Sequence, residues 1–302
     1  MILNPLFGKI IPIIAIFAVG YVLKRLGIFK KEDGETFLKA AFYVTLPALV
    51  VNAVRTIPLT KELAYLPLLA VLIILVTFVV SYFAGKALHL EPKTLGVFLV
   101  GTMIMNLSFA LPFIIAGYGT DGVARLLLFD LGNTAMVFTF IYYIACRHGE
   151  ARKSPRMMLK KCLSVPVLWA LALGIALNLF AVHVPTVITN LLDTLGAATA
   201  PLIMLAVGIY FNFKIVKPVP LAAAFLLRTI GGLALGWGVV TLAGLSGMER
   251  VIVLLSSAMP IGYNTLTFAV LENLDVEFAA SLLSLSILAG LIYVPMLMLA
   301  LG

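Results

Sequence analysis

Asn106-Leu107-Ser108-Phe109-Ala110-Leu111-Pro112 interrupts an apolar run extending from Thr94 to Tyr118, and Pro260-Ile261-Gly262-Tyr263-Asn264-Thr265-Leu266 interrupts a second from Val251 to Leu271. Asn106 and Pro260 stand 154 residues apart. The same offset sets Pro166 on Pro12, Gly174 on Gly20, Thr199 and Pro201 on Thr45 and Pro47, and Asp275 on Asp121, with no gap. Identity between the halves is low, so the reading rests on prolines, glycines and aspartates agreeing in register. That agreement describes one membrane unit present twice.

Outward from these windows the chain is 63% hydrophobic and 11% charged, with a mean hydropathy of +1.15. Soluble domains carry about a quarter charged residues, so this composition excludes them. Lipid accepts only helices or closed barrels, because every backbone polar group must be satisfied internally. The apolar runs are long and continuous rather than alternating, which leaves an all-α polytopic membrane protein. Ten spans are expected: Pro5 to Leu23, Thr36 to Val54, Leu63 to Gly85, Thr94 to Tyr118, Gly122 to Cys146, Ser164 to Val182, Thr186 to Phe211, Val219 to Leu245, Val251 to Leu271 and Val276 to Leu301. An odd number of spans per copy inserts the second copy upside down, giving two inverted five-helix repeats, 1–146 and 164–302, joined by a basic linker at 147–163.

Basic residues set the orientation. Lys24, Arg25, Lys30 and Lys31 follow the first span, and Arg147, Arg152, Lys153, Arg156, Lys160 and Lys161 follow the fifth, whereas alternate links are poor in Lys and Arg. By the positive-inside rule both termini are expected outside the cytoplasm, in a plasma-membrane protein. The net charge of +8 is then topological and implies no nucleic-acid partner. The N-terminus lacks the basic start and small-residue cleavage site of a signal peptide, so the first span is expected to remain. Cys146 and Cys162 bracket a cytoplasmic loop, where no structural disulfide is expected. His89, His148 and His183 are isolated, without metal-ligand spacing, and no phosphate-cradling glycine loop is present; neither a metal, a cofactor nor ATP hydrolysis is expected.

Proline removes an amide donor and clashes with the preceding turn, so each window is expected to break its helix. Irregular backbone at membrane depth is tolerated where it is buried or lines a cavity. Two broken helices crossing at the midplane would aim helix ends at one point, and helix N-termini offer bare N–H groups and partial positive charge to a carboxylate. Asn106, Ser108, Asn264 and Thr265 are the expected polar contacts, Leu107, Ile261 and Tyr263 the apolar wall, and Pro112, Pro260 and Gly262 the breaks themselves. Thr45-Leu46-Pro47 and Thr199-Ala200-Pro201 form a second matched pair, read as kinks in a packing scaffold. At 1.5 Å per residue Asp130 lies about 13 Å beyond Asp121, Asp193 about 12 Å beyond Pro185 and Arg228 about 15 Å beyond Pro218. Ionisable groups at such depth mark ion paths or pair with one another, so these three are candidates for proton or ion coupling, with an Asp130–Arg228 lock as the alternative.

Gly20-Tyr21-Val22-Leu23-Lys24-Arg25-Leu26-Gly27 with Phe42-Tyr43-Val44-Thr45-Leu46-Pro47-Ala48-Leu49 resembles the opening two helices of the auxin efflux carrier family, which includes bacterial permeases for malate and malonate. Asn106 with Leu111-Pro112 is similar to its fourth helix, and Met259-Pro260 with Asp275 and Ala279-Ala280-Ser281 to its last two. The resemblance implies a scaffold of helices one, two, six and seven beside a transport bundle of helices three to five and eight to ten. It also implies substrate at the crossing of helices four and nine, and a homodimer paired through the scaffold. Two departures stand out: Val165-Pro166 where many relatives have Asn-Pro, and Ser108-Phe109-Ala110-Leu111 where the fourth helix is usually glycine-rich. The expected function is therefore a non-enzymatic secondary transporter or uniporter of a small organic carboxylate, with lipid as its surroundings. A sodium-coupled organic-anion symporter of the bile-acid type and a non-transporting ligand sensor are the alternatives. An intramembrane enzyme would need a facing nucleophile and base, and no such signature is present.

Overall fold

The computed structural model describes residues 5–58, 61–149, 166–211 and 215–301. Most of the basic linker, including Cys162, lies outside them. In chain order the helices are α1 (Pro5–Arg25), α2 (Lys31–Ala40), α3 (Leu46–Val54), α4 (Lys61–Ala87), α5 (Pro92–Met103), α6 (Leu107–Met136), α7 (Tyr142–His148), α8 (Pro166–Leu179), α9 (Thr186–Ala197), α10 (Thr199–Tyr210), α11 (Pro218–Leu226), α12 (Gly232–Leu242), α13 (Gly247–Ser257), α14 (Asn264–Leu271) and α15 (Val276–Leu301). Wide π-turns join α2 to α3 (Ala41–Thr45), α6 to α7 (Val137–Ile141) and α11 to α12 (Leu227–Gly231). The protein is all-helical among the described residues, apart from one antiparallel bridge between Met105 and Ile261.

Among the described residues, six helical stretches are long and apolar enough to cross a membrane: Lys31–Val54, Leu63–Ala87, Leu107–His148, Thr186–Tyr210, Pro218–Leu242 and Val276–Leu301. Several of the remaining expected spans are short or divided. Spans four and nine are broken, which leaves α5 with 12 residues and α13 with 11. Conversely, Leu107–His148 runs for 42 residues, about twice the ~20 that one crossing needs. Gly119, at φ 60° and ψ −156°, divides it with a backbone conformation that costs glycine little.

The chain forms two compact units. The first comprises Met1–Thr60, Ser108–Leu127 and Val165–Phe211. Here α1 lies against α10 and α3 against α8 and α9, through glycines that let backbones approach closely. A Cβ on Gly20 would strike the Leu205 carbonyl, one on Gly208 the Phe17 carbonyl, and one on Gly174 the Val54 side chain. Lys24 Nζ donates to the Phe211 carbonyl at 2.7 Å, and Asn178 Nδ2 to the carbonyls of Val54 at 2.9 Å and Ile57 at 2.7 Å. Both side chains thereby satisfy carbonyls at helix C-termini that have no intrahelical donor. Thr199 Oγ1 donates to Thr45 Oγ1 at 3.0 Å. Each threonine stands two residues before a proline. Pro47 has no amide hydrogen for the Tyr43 carbonyl, and a π-turn fills the gap; Pro201 has none for Ala197, and the helix breaks there between α9 and α10.

The second unit comprises Lys61–Leu107, Leu128–Ser164 and Asn212–Gly302. In it α4 packs on α5, and α12 on α13. A Cβ on Gly85 would meet Leu95, and Cβ atoms on Gly232 and Gly236 would meet Ser257. At one end Lys217 Nζ reaches Asp275 Oδ2 and Thr94 Oγ1, both at 2.6 Å, while Thr94 Oγ1 donates to the same carboxylate oxygen at 2.8 Å. Asp275 Oδ1 also accepts the Phe278 amide at 3.0 Å, capping α15. Elsewhere the Tyr142 hydroxyl donates to the buried Glu272 carboxylate at 2.6 Å. Large apolar side chains point outward on both units, among them Phe180, Trp169, Leu242 and Ile292, as surfaces bathed in lipid require.

Candidate functional site at the helix crossing

The second window interrupts its helix over Pro260–Tyr263, whereas the first, expected to break over Asn106–Pro112, is helical from Leu107 onward. The first break falls at Ile104–Asn106, ahead of Pro112, which sits inside α6. Ile104 turns extended (φ −77°, ψ 119°), and the ladder resumes at Leu107. Pro112 thus withdraws a donor in the second turn of a helix that has already restarted, and the break itself needs a partner strand to satisfy its backbone. That partner is the second break, Ala258–Tyr263, which precedes α14.

The two extended segments pair antiparallel. Asn106 N donates to the Pro260 carbonyl at 2.9 Å and Gly262 N to the Ile104 carbonyl at 3.2 Å. Asn106 Nδ2 donates to the Ile261 carbonyl at 3.1 Å, and Ile261 N donates to Ser286 Oγ on α15 at 2.8 Å. Buried peptide groups freed from their helices thereby regain partners, as they must away from water. Gly262 is forced by the close approach, since a Cβ there would collide with the Ile104 side chain.

Of the expected site residues, Asn106, Leu107, Pro260, Ile261, Gly262, Tyr263, Asn264 and Thr265 gather around this crossing in the second unit. Asn106 commits one amide N–H to holding the crossing, and Leu107 and Ile261 are buried. Thr265 Oγ1 is buried without a hydrogen-bond partner. Asn264 is half-buried at the start of α14. Ser108, also half-buried, and Pro112 begin the portion of α6 that belongs to the first unit.

Of the three ionisable candidates, Asp193 belongs to the first unit and Asp130 and Arg228 to the second. Asp193 is exposed on the first unit, where the Asn52 amide donates to it and Arg55 Nε donates to Asn52 Oδ1 at 2.8 Å. Asp130 accepts Asn133 Nδ2 at 2.8 Å. Arg228 is fully buried and donates to the carbonyls of Thr102, at 2.9 Å, and Ser257. An Asp130–Arg228 lock is absent. Reading the sequence did not single out Ser286, Tyr293, Glu272 or Lys217. A run of serines in an otherwise apolar span, Ser281, Ser284 and Ser286, was the available signal for the first, since hydroxyls there seek backbone partners.

A cavity of about 300 Å³ lies between α4 and the π-turn before α12, lined by Thr77, Val80, Ser81, Leu227, Gly231, Ala234 and Leu235. Its lining excludes every residue of the crossing.

Apolar helices long enough to span a membrane, with two interrupted members paired at a buried crossing, define the class: a membrane protein built around buried irregular backbone, as transporters are. The profile of the membrane transport protein family, the auxin efflux carrier-like family, matches residues 5–298, and the chain belongs to that family. It is similar to an uncharacterized transporter of Methanothermobacter thermautotrophicus, 25% identical over 293 residues and 95% of each chain. An uncharacterized transporter of Methanocaldococcus jannaschii is 27% identical over 279 residues, 89% of this chain and 90% of the relative. The protein is a membrane-embedded transporter.

Proposed function

We propose that the transporter moves a small organic carboxylate, of the auxin, malate or malonate class, through a site at the crossing. The observation that carries this is the backbone pairing of Asn106 with Pro260. It buries two broken helices against each other and leaves Thr265 Oγ1 unpartnered beside the half-buried Asn264, with the N-terminus of α14 at hand. Such a helix terminus favours an anion.

Ten spans in two inverted repeats remain the architecture that best accounts for the contacts. Residues 154 apart meet at two places, Thr45 with Thr199 and Asn106 with Pro260, as positions on a pseudo-twofold axis would. The Lys24–Phe211 and Asn178–Ile57 hydrogen bonds exchange under the same offset. The first unit gathers the helices expected in the scaffold, together with Ser108–Leu127. Elevator-type alternating access, in which a bundle of spans three to five and eight to ten moves against a scaffold of spans one, two, six and seven, accords with that grouping. A homodimer through the scaffold, a plasma-membrane location and both termini outside the cytoplasm complete the proposal.

The test is flux in liposomes holding the purified protein, against a panel of labelled carboxylates under imposed proton, sodium or potential gradients. At least one carboxylate should be carried at a saturable rate. Absence of flux for the whole panel would refute the reading.

A further inference from the structure

Arg228 is fully buried in the π-turn between α11 and α12. Its guanidinium reaches two carbonyls, Thr102 from Nη1 at 2.9 Å and Ser257 from Nη2. These belong to the last turns of α5 and α13, the two half-helices that end at the crossing. Among the described residues no carboxylate forms an ion pair with it. A guanidinium taken out of water without a carboxylate is costly, so something else must offset its charge. Each helix C-terminus carries roughly half a negative charge, and two converging on one group supply about one. That matches a single guanidinium.

The surroundings are shaped for it. A Cβ on Gly232 would collide with Arg228 Nη2 and with the Ser257 carbonyl, and one on Gly236 with Ser257 Oγ. The neighbouring Ala258 carbonyl, the next on the same terminus, accepts the Tyr293 hydroxyl at 2.8 Å. Nε is buried without a hydrogen-bond partner. The side chain is therefore held by its two terminal nitrogens, at the helix ends.

We infer that Arg228 is a tethered counter-cation for the crossing: it supplies permanently the positive charge that two converging helix C-termini demand, in the place a bound alkali cation would otherwise take. The inference deepens the transport reading, because it makes the anion site independent of sodium. It separates this chain from the sodium-coupled alternative by a residue rather than by a substrate. Arg228 acts here as a positioning residue, through α5 and α13, and it need not touch the anion.

The test uses the full purified chain in detergent at constant ionic strength, in choline, sodium or potassium chloride. The wild-type melting midpoint should be the same in all three salts, and labelled sodium should show no saturable binding. Arg228→Ala should lower the midpoint by roughly 5 °C or more. Millimolar guanidinium should restore much of that loss saturably, where choline does not, a rescue that lost packing alone would not show. Saturable sodium binding to the wild type, or an Arg228→Met variant that melts with the wild type, would overturn the inference. Should Arg228→Ala fail to fold, the wild-type sodium measurement still decides. Every readout is a melting point or cation binding, so failure to find a transported carboxylate would leave these results standing and sink only the transport reading.

Discussion

Gly262→Ala probes the crossing with a single methyl group. The added Cβ collides with Ile104 Cγ2 and lies 3.5 Å from the Met105 carbonyl oxygen. Ile104 cannot easily yield, because it is 2% exposed and its β-branched side chain is stiff at χ1. Overpacking of this kind costs about 1–3 kcal/mol. Separating the segments would also stretch the Gly262–Ile104 and Asn106–Pro260 hydrogen bonds, of 3.2 and 2.9 Å, each worth about 1 kcal/mol. The expected destabilisation is about 2–4 kcal/mol, which for a chain of this size lowers the melting midpoint by roughly 5–10 °C. Gly238→Ala is the matched control, since a Cβ there meets nothing within 4 Å and alanine is the better helix former by about 1 kcal/mol. Thermal unfolding of both variants in detergent, beside carboxylate flux in liposomes, provides the assay. A Gly262→Ala protein that melts and transports like the wild type would refute the tight antiparallel crossing.

Asp275 is the second target: burial pushes its carboxyl up, but hydrogen bonds from Lys217, the Phe278 amide and Thr94 outweigh it and hold it below the usual carboxylate range. A depressed carboxylate stabilises the fold above its unfolded pKa of about 3.9, and that contribution fades as pH falls through the lower folded value. Asp275→Asn should accordingly cost about 1–2 kcal/mol at neutral pH, as lost caps do, and the gap to the wild type should narrow in melting curves as pH falls below the unfolded value of about 3.9; a gap that does not shrink with falling pH would refute the account. Tyr142→Phe removes the hydroxyl that donates to the buried Glu272 carboxylate at 2.6 Å and should destabilise by about 1.5–3 kcal/mol, as bonds to charged groups do, whereas Tyr143→Phe, at an exposed position, should change little. Asp130→Asn should flatten the pH dependence of flux, while Asp193→Asn, on the exposed surface with Asn52, should leave it intact. Unaltered profiles in both would remove proton coupling through either residue.

The breakers were legible in the sequence because proline and glycine act locally. Pro47, Pro201 and Gly262 each mark irregular backbone whatever surrounds them. The position of the first break was less so: Pro112 drew attention, but α6 tolerates it, and the interruption falls at Ile104–Asn106, where no residue forces it. What holds that segment extended is its pairing with Pro260 and Gly262, a contact made across more than 150 residues. Arg228 shows the same limit. Its depth can be counted along a helix, where the sequence offers ion coupling or, as the alternative, a lock with Asp130. Its actual partners are backbone carbonyls, which every residue possesses and no sequence pattern announces. Asp193 was read as deep from its distance past Pro185, yet depth along a helix says nothing about which face it occupies, and it lies on an exposed one. Counting spans by length separates Thr94–Tyr118 from Gly122–Cys146 and gives spans four and nine their full length, whereas helix runs on from Leu107 to His148 and α5 and α13 are short, because helices that bend or break violate the rule that a crossing is one straight rod.

The central claim, that a carboxylate occupies the crossing, is tested most directly by protection. Asn264→Cys, in a chain whose Cys146 and Cys162 are replaced by serine, would be labelled with a small membrane-impermeant thiol reagent in liposomes. Malonate, or whichever carboxylate of the panel is carried best, should slow the labelling saturably, over the same concentration range that saturates flux. Labelling that proceeds at one rate with and without the transported anion would place the site elsewhere.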